Sequence, residues 1–88
     1  MNNIPISRFA DIAGISATSL RCYLKPYKDA LQLLRQRGYS FNYKVVLFLC
    51  YVLVYDIRKF YPDEDVEKLK VEQTKIVNYV NESLNRKY

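Results

Sequence analysis

The stretch Phe9 to Tyr23, FADIAGISATSLRCY, decides how this chain is read. Ala10 is small enough for a second helix to cross the first with no side chain between them, and Gly14, four residues on, suits a turn that requires positive φ. Ser16 follows where a hydroxyl accepts from the free N–H groups that open the next helix. Phe9, Ile12, Ala13, Ile15, Leu20 and Tyr23 recur at spacings that turn both helices toward a common core. These residues predict two short helices joined by a tight turn, the second from Ala17 to about Leu24, in the form that places a helix in a DNA groove. They also suit an αα-corner with a purely structural role, because small residues at a crossing and a Gly turn are ordinary packing chemistry.

Charge favours the DNA-facing alternative. The formal net charge is +5, and the half from Met1 to Lys44 sets Arg8, Arg21, Lys25, Lys28, Arg35, Arg37 and Lys44 against only Asp11 and Asp29. From Tyr61 onward acidic and basic residues nearly balance. A basic half is what a phosphate-contacting surface requires, since each cation that neutralises a phosphate releases counterions. A merely solvated basic surface has the same composition.

The 88 residues suit one domain with a single core, and 50% of them are hydrophobic, which predicts a packed fold rather than disorder. The expected architecture is mostly α, with a helix-turn-helix and wing region over 6–44 and core and dimerisation helices over 45–88. Pro26 is expected to stop the second helix by disfavouring helical geometry at Lys25. An amphipathic helix follows over Tyr27–Arg37, YKDALQLLRQR, with Gly38 as its stop. YSFNY, from Tyr39 to Tyr43, alternates aromatic and polar residues as a short extended segment or wing does.

Val45 to Tyr55, VVLFLCYVLVY, is eleven uncharged residues, short of the roughly twenty that span a bilayer. Its valines favour a strand, but the run continues without a breaker, and a helix from Tyr43 to Phe60 is preferred over a lone unpartnered strand. Such a helix is apolar all round and needs cover all round, either as the central helix or with help from a second subunit. Pro62 and the acids after it mark the next helix start, and a last helix is expected from Asp63 to Asn85. On it Val66, Leu69, Gln73, Ile76 and Val80 recur at threes and fours, a seam that either packs on its own domain or joins two copies.

Catalytic and metal chemistry find little here. The chain has no His, so no Ser-His-Asp or Cys-His arrangement is available, and Gly14 and Gly38 are its only glycines, which rules out a glycine-rich phosphate loop. Cys22 and Cys50 have no zinc spacing and read as reduced apolar thiols. Asp63, Glu64 and Asp65 are consecutive and lack calcium-loop spacing. No enzyme activity, cofactor, metal or small-molecule substrate is expected. MNNIPISRF lacks a charged region followed by an apolar one, so a cytoplasmic protein without a membrane segment is the expectation.

The run Ile6 to Leu24 resembles the helix-turn-helix of the mercury-resistance-type (MerR) regulators and the related excisionases. The matching residues are Phe9, Ala10, Gly14, Ile15, Ser16, Leu20, Arg21 and Tyr23, the last four in an S-x-x-x-L-R-x-Y segment. GYSFNYKVV, from Gly38, looks like that family's wing and the start of its next helix. The chain departs from the family in the helical YKDALQLLRQR, where a turn-rich connection is usual. The resemblance implies that the second helix reads the major groove, the wing touches backbone and a C-terminal helix dimerises. Ser16, Thr18, Arg21 and Tyr23 then become DNA-contact candidates, with Ala17, Ser19 and Cys22 beside them on the same helix. Arg21 leads, because an Arg bonds bidentately to guanine or clamps a phosphate, while Tyr23 is the one expected to pack in the core. Arg8, Lys25, Arg35, Arg37 and Lys44 are the expected phosphate contacts on double-stranded DNA, bound by a homodimeric transcriptional regulator or recombination-accessory factor. The alternative is a protein-interaction module that uses the helices at 43–60 and 63–85.

Overall fold

A computed structural model of the chain describes residues 2–86. The fold is mostly α: six helices and a two-stranded antiparallel ladder. Strand β1, Ile4–Pro5, runs into helix α1, Ile6–Ala13. Helix α1 ends where Gly14 enters the left-handed region at φ 76°, and the N–H of Ile15 returns to the Ala10 carbonyl at 3.0 Å. The Ser16 hydroxyl accepts from the Ser19 N–H at 3.1 Å and starts helix α2, Ala17–Leu24. Turn and cap thus form at the expected residues.

Pro26 acts more gently than expected. Lys25 keeps helical angles (φ −54°, ψ −46°), and the chain passes through a single 3-10 turn, Lys25–Tyr27, into helix α3, Lys28–Leu33. At the opening of a new turn the missing proline N–H leaves no hydrogen bond unmade. Helix α3 stops short of Gly38, because Arg35 already turns left-handed at φ 58°. Side-chain amides hold that turn: Asn42 Nδ2 donates to the Leu34 carbonyl at 3.2 Å, and Gln36 Nε2 to the Ser40 carbonyl at 2.9 Å.

Of the two readings of YSFNY, the short extended segment forms, and it acts as a clamp on the start of the chain. Strand β2, Ser40–Phe41, pairs with β1 in the register Ile4↔Phe41 and Pro5↔Ser40, so the extended segment returns to the start of the chain. Phe41 is thereby driven into the core.

Asn42 caps helix α4, Tyr43–Val52, in which all six residues from Val45 to Cys50 are buried. One chain supplies the cover for this central helix, with α6 as its main neighbour and no second subunit required. The expected continuation to Phe60 does not occur. Val54 takes φ 59°, and Asp56 caps a separate short helix α5, Ile57–Phe60. The break lets Tyr55 and Phe60 fold back onto Phe9, at ring-centroid distances of 6.1 and 4.5 Å. A straight helix would carry both rings away from it.

Helix α6, Val66–Arg86, begins later than expected, with the Asp65 carboxylate accepting from the Glu67 N–H at 3.0 Å. Its apolar stripe is spent inside the chain. Leu69, Ile76 and Val80 are buried in the common core, Val66 is half-buried at its edge, and Gln73 Nε2 donates to the Leu47 carbonyl at 2.9 Å. Of the two readings of this stripe, it packs on its own domain, and burying a face once satisfies it. The halves 6–44 and 45–88 share one hydrophobic core over the described residues. No helix among them is long and apolar enough to cross a membrane.

Leu69→Ala is expected to lower stability by about 2–5 kcal/mol, the usual cost of emptying a buried leucine site. Urea midpoints measured over a wide range of protein concentration should coincide, whereas an intermolecular seam would make the midpoint rise with concentration.

Candidate nucleic-acid interface

The outward face of α2 is set by helical geometry. Ala17, Thr18, Arg21, Cys22 and Lys25 sit at steps of one, three, one and three, which confines them to an arc of about 140° at 3.6 residues per turn. Leu20 points the opposite way and is fully buried, with Leu24 half-buried beside it. Thr18, Arg21, Cys22 and Lys25 are exposed and Ala17 is half-buried, so a polar, basic ridge tops an apolar base.

The ridge cations have no internal employment. Among the described residues the ion pairs are Arg58–Asp56 at 3.1 Å and Lys75–Glu72 at 3.7 Å, neither of which touches α2. The Arg58 guanidinium and backbone N–H together hold the Asp56 carboxyl below its ordinary range. Ser16 and Ser19 are otherwise engaged: besides accepting the cap bond, Ser16 Oγ donates to Ser19 Oγ at 3.0 Å. These two hydroxyls serve the helix start. Tyr23, expected in the core, is 47% exposed, although it lies about 170° round the helix from the middle of the ridge.

The phosphate-contact candidates divide. Arg8 is exposed on α1, and Arg37 on the loop before β2. Arg35 and Lys44 instead line one open cleft with Glu72, Lys75 and Tyr79 of α6, to which α2 contributes nothing. Lys75, Glu72 and Tyr79 carried no mark in the sequence, since each is one polar position among many on a long helix. Among the described residues no group of three or more His, Cys, Asp or Glu side chains is placed to hold a metal ion.

The two thiols differ sharply. Cys22 is exposed on the ridge, contrary to the expectation of two apolar thiols, whereas Cys50 is buried in α4. Burial, and secondarily the Asp56 charge, push the Cys50 thiol from 9.0 up to about 12. Burial likewise pushes the Tyr61 phenol from 10.0 up to about 12, and its hydroxyl donates to the Asn2 carbonyl at 3.1 Å.

No family model matches the chain, and no curated protein or solved structure does either. The reading of α2 rests on its own chemistry and geometry.

Both buried groups stay protonated in the folded chain at pH values where an unfolded chain has already ionised them. Their contribution to stability is complete below pH 9.0 and is lost as pH rises toward about 12. Urea midpoints should be flat up to that lower limit and fall above it, and in Cys50→Ala the fall should begin nearer 10.0, where the phenol ionises in an unfolded chain.

Proposed function

We propose that this chain is a non-enzymatic DNA-binding protein whose α2 lies in the major groove, in the manner of a small transcriptional regulator or recombination-accessory factor. The observation that carries this reading is the exposed ridge of Thr18, Arg21, Cys22 and Lys25, whose cations have no acidic partner among the described residues. A helix that contacts base edges needs side chains that reach outward while its other side is held rigidly. Leu20, the Gly14 turn and the Ser16 cap provide that support. Arg21 is the base-reading or phosphate-clamping group, Thr18 the short polar contact at the helix start, and Lys25 a phosphate contact at its end. Arg8 and Arg37 are further phosphate contacts.

Two copies binding two half-sites remain part of this reading, as monomers in free solution that meet only on DNA, through a face other than the buried α6 stripe. A second reading, a protein-interaction module, is favoured by one observation: Tyr51 and Val54 are 57% and 86% exposed at the end of the most apolar helix. Under that reading the contact surface is the α4–α5 turn rather than the helix seams.

Fluorescence anisotropy with mixed-sequence duplex DNA at low salt tests the proposal. Binding should weaken steeply as salt is raised, and Arg21→Ala should cost about 1–3 kcal/mol of affinity for a selected site while the circular dichroism spectrum is retained. Bound duplex should also shield Cys22 from alkylation, with Cys50 unreactive throughout the folded range. Absence of duplex binding at low salt, or full Cys22 reactivity in a saturated complex, would rule the proposal out.

A further inference from the structure

The cleft between the α3–β2 turn and α6 has a chemistry that DNA recognition by α2 does not use. It is an open cleft of about 430 Å³, within the size range of small-molecule sites. Buried Leu34 and Ile76 contribute apolar surface, and Tyr79, 52% exposed, offers an aromatic ring at the side. Three cations line it, Arg35, Lys44 and Lys75, against the single carboxylate of Glu72. That carboxylate approaches only Lys75, at 3.7 Å with both side chains well exposed, so the cleft keeps a net excess of positive charge.

Arg35 adds a second, independent indication. Its φ of 58° lies in the left-handed region, where residues with a Cβ are disfavoured and glycine fits without cost. Asn42 fixes the carbonyl just before it, and the Gln36 amide fixes the loop just after it. A left-handed backbone position that puts Arg35 in the lining of a cationic cleft has the form of a built binding feature.

We propose that this cleft binds a nucleoside polyphosphate. Arg35, Lys44 and Lys75 take the phosphates, the Tyr79 ring stacks on the base, and Glu72 accepts from a sugar hydroxyl or a base amine. An extended nucleic-acid backbone fits less well, because the three cations share the lining of one concavity with a carboxylate rather than forming a track. An acidic peptide would satisfy the cations but leave the exposed ring without a stacking partner. The site involves no residue of α2, so it does not depend on the DNA-binding proposal.

Titration of the full chain with ATP in the absence of divalent cations, followed by amide and side-chain NMR shifts and by calorimetry, tests this. Saturable shifts should appear at Arg35, Lys44, Lys75 and Tyr79, with a dissociation constant below about 1 mM. Arg35→Gly and Lys75→Gln should each weaken ATP binding by about tenfold or more, the loss of one charge-assisted contact. Arg35→Gly should not lower the thermal midpoint, because glycine relieves the backbone strain. Tyr79→Ala should weaken ATP while leaving inorganic tripolyphosphate binding unchanged. The proposal is overturned if these residues do not shift at millimolar ATP, if Arg35→Gly and Lys75→Gln bind as the parent does, or if Arg21→Ala abolishes ATP binding while they do not.

Discussion

The Phe9 ring is the contact on which the other elements converge. It is fully buried on α1, meets Phe41 of β2 edge-on at 5.3 Å, lies 4.5 Å from Phe60 of α5 and reaches Tyr55 in the turn between α4 and α5. Four segments from both halves of the sequence are thus joined at one aromatic cluster, whose edge-to-face contacts add to the area they bury. The consequences run outward from it. Seating Phe41 pairs β2 with β1, seating Tyr55 and Phe60 requires α4 to end at Val52, and fixing α1 fixes the Gly14 turn from which α2 projects. The candidate DNA-facing ridge depends on an aromatic cluster to which it contributes no side chain.

Around that cluster, α4 and α6 provide most of the remaining enclosure. An all-apolar helix in a chain this small needs cover, and α6 provides it with Leu69, Ile76 and Val80 while Gln73 reaches the Leu47 carbonyl. A polar residue in an apolar stripe is thereby satisfied within the chain, without a second copy. The acidic and basic residues of α6 are left on its outer faces, where Lys75, Glu72 and Tyr79 meet Arg35 and Lys44 across a cleft. One helix therefore both closes the core and forms half of the proposed nucleotide site. Five of the basic residues fall onto two surfaces of different shape: Arg21 and Lys25 on a convex ridge of α2, and Arg35, Lys44 and Lys75 in a concavity beside α6.

Local chemistry was legible wherever a single residue type meets a single geometric demand. Gly14 at positive φ, Ser16 as cap, Leu20 facing inward and Arg21 facing outward all follow from spacing and backbone preference, so the helix pair and its ridge could be read directly. Legibility failed where a distant partner decided the outcome. Nothing near Val54 breaks a helix, since valine is neither Gly nor Pro; the break is made by Tyr55 and Phe60 returning to Phe9. Nothing near Arg35 announces a left-handed turn with Gly38 three residues on, and the turn is held by amide groups of Gln36 and Asn42.

By itself, the sequence determined the helical class and the turn and cap between α1 and α2, because these depend on interactions within a few residues. Tertiary structure alone decided that the extended segment at Ser40–Phe41 clamps the chain start, that the α6 stripe is consumed internally, and that Arg35, Lys44 and Lys75 share one cleft. The physical reason is the range of the forces involved. Caps and turns are settled by local backbone hydrogen bonding, whereas the allocation of an apolar face or a cation to a surface depends on which distant segment wins the competition to bury it.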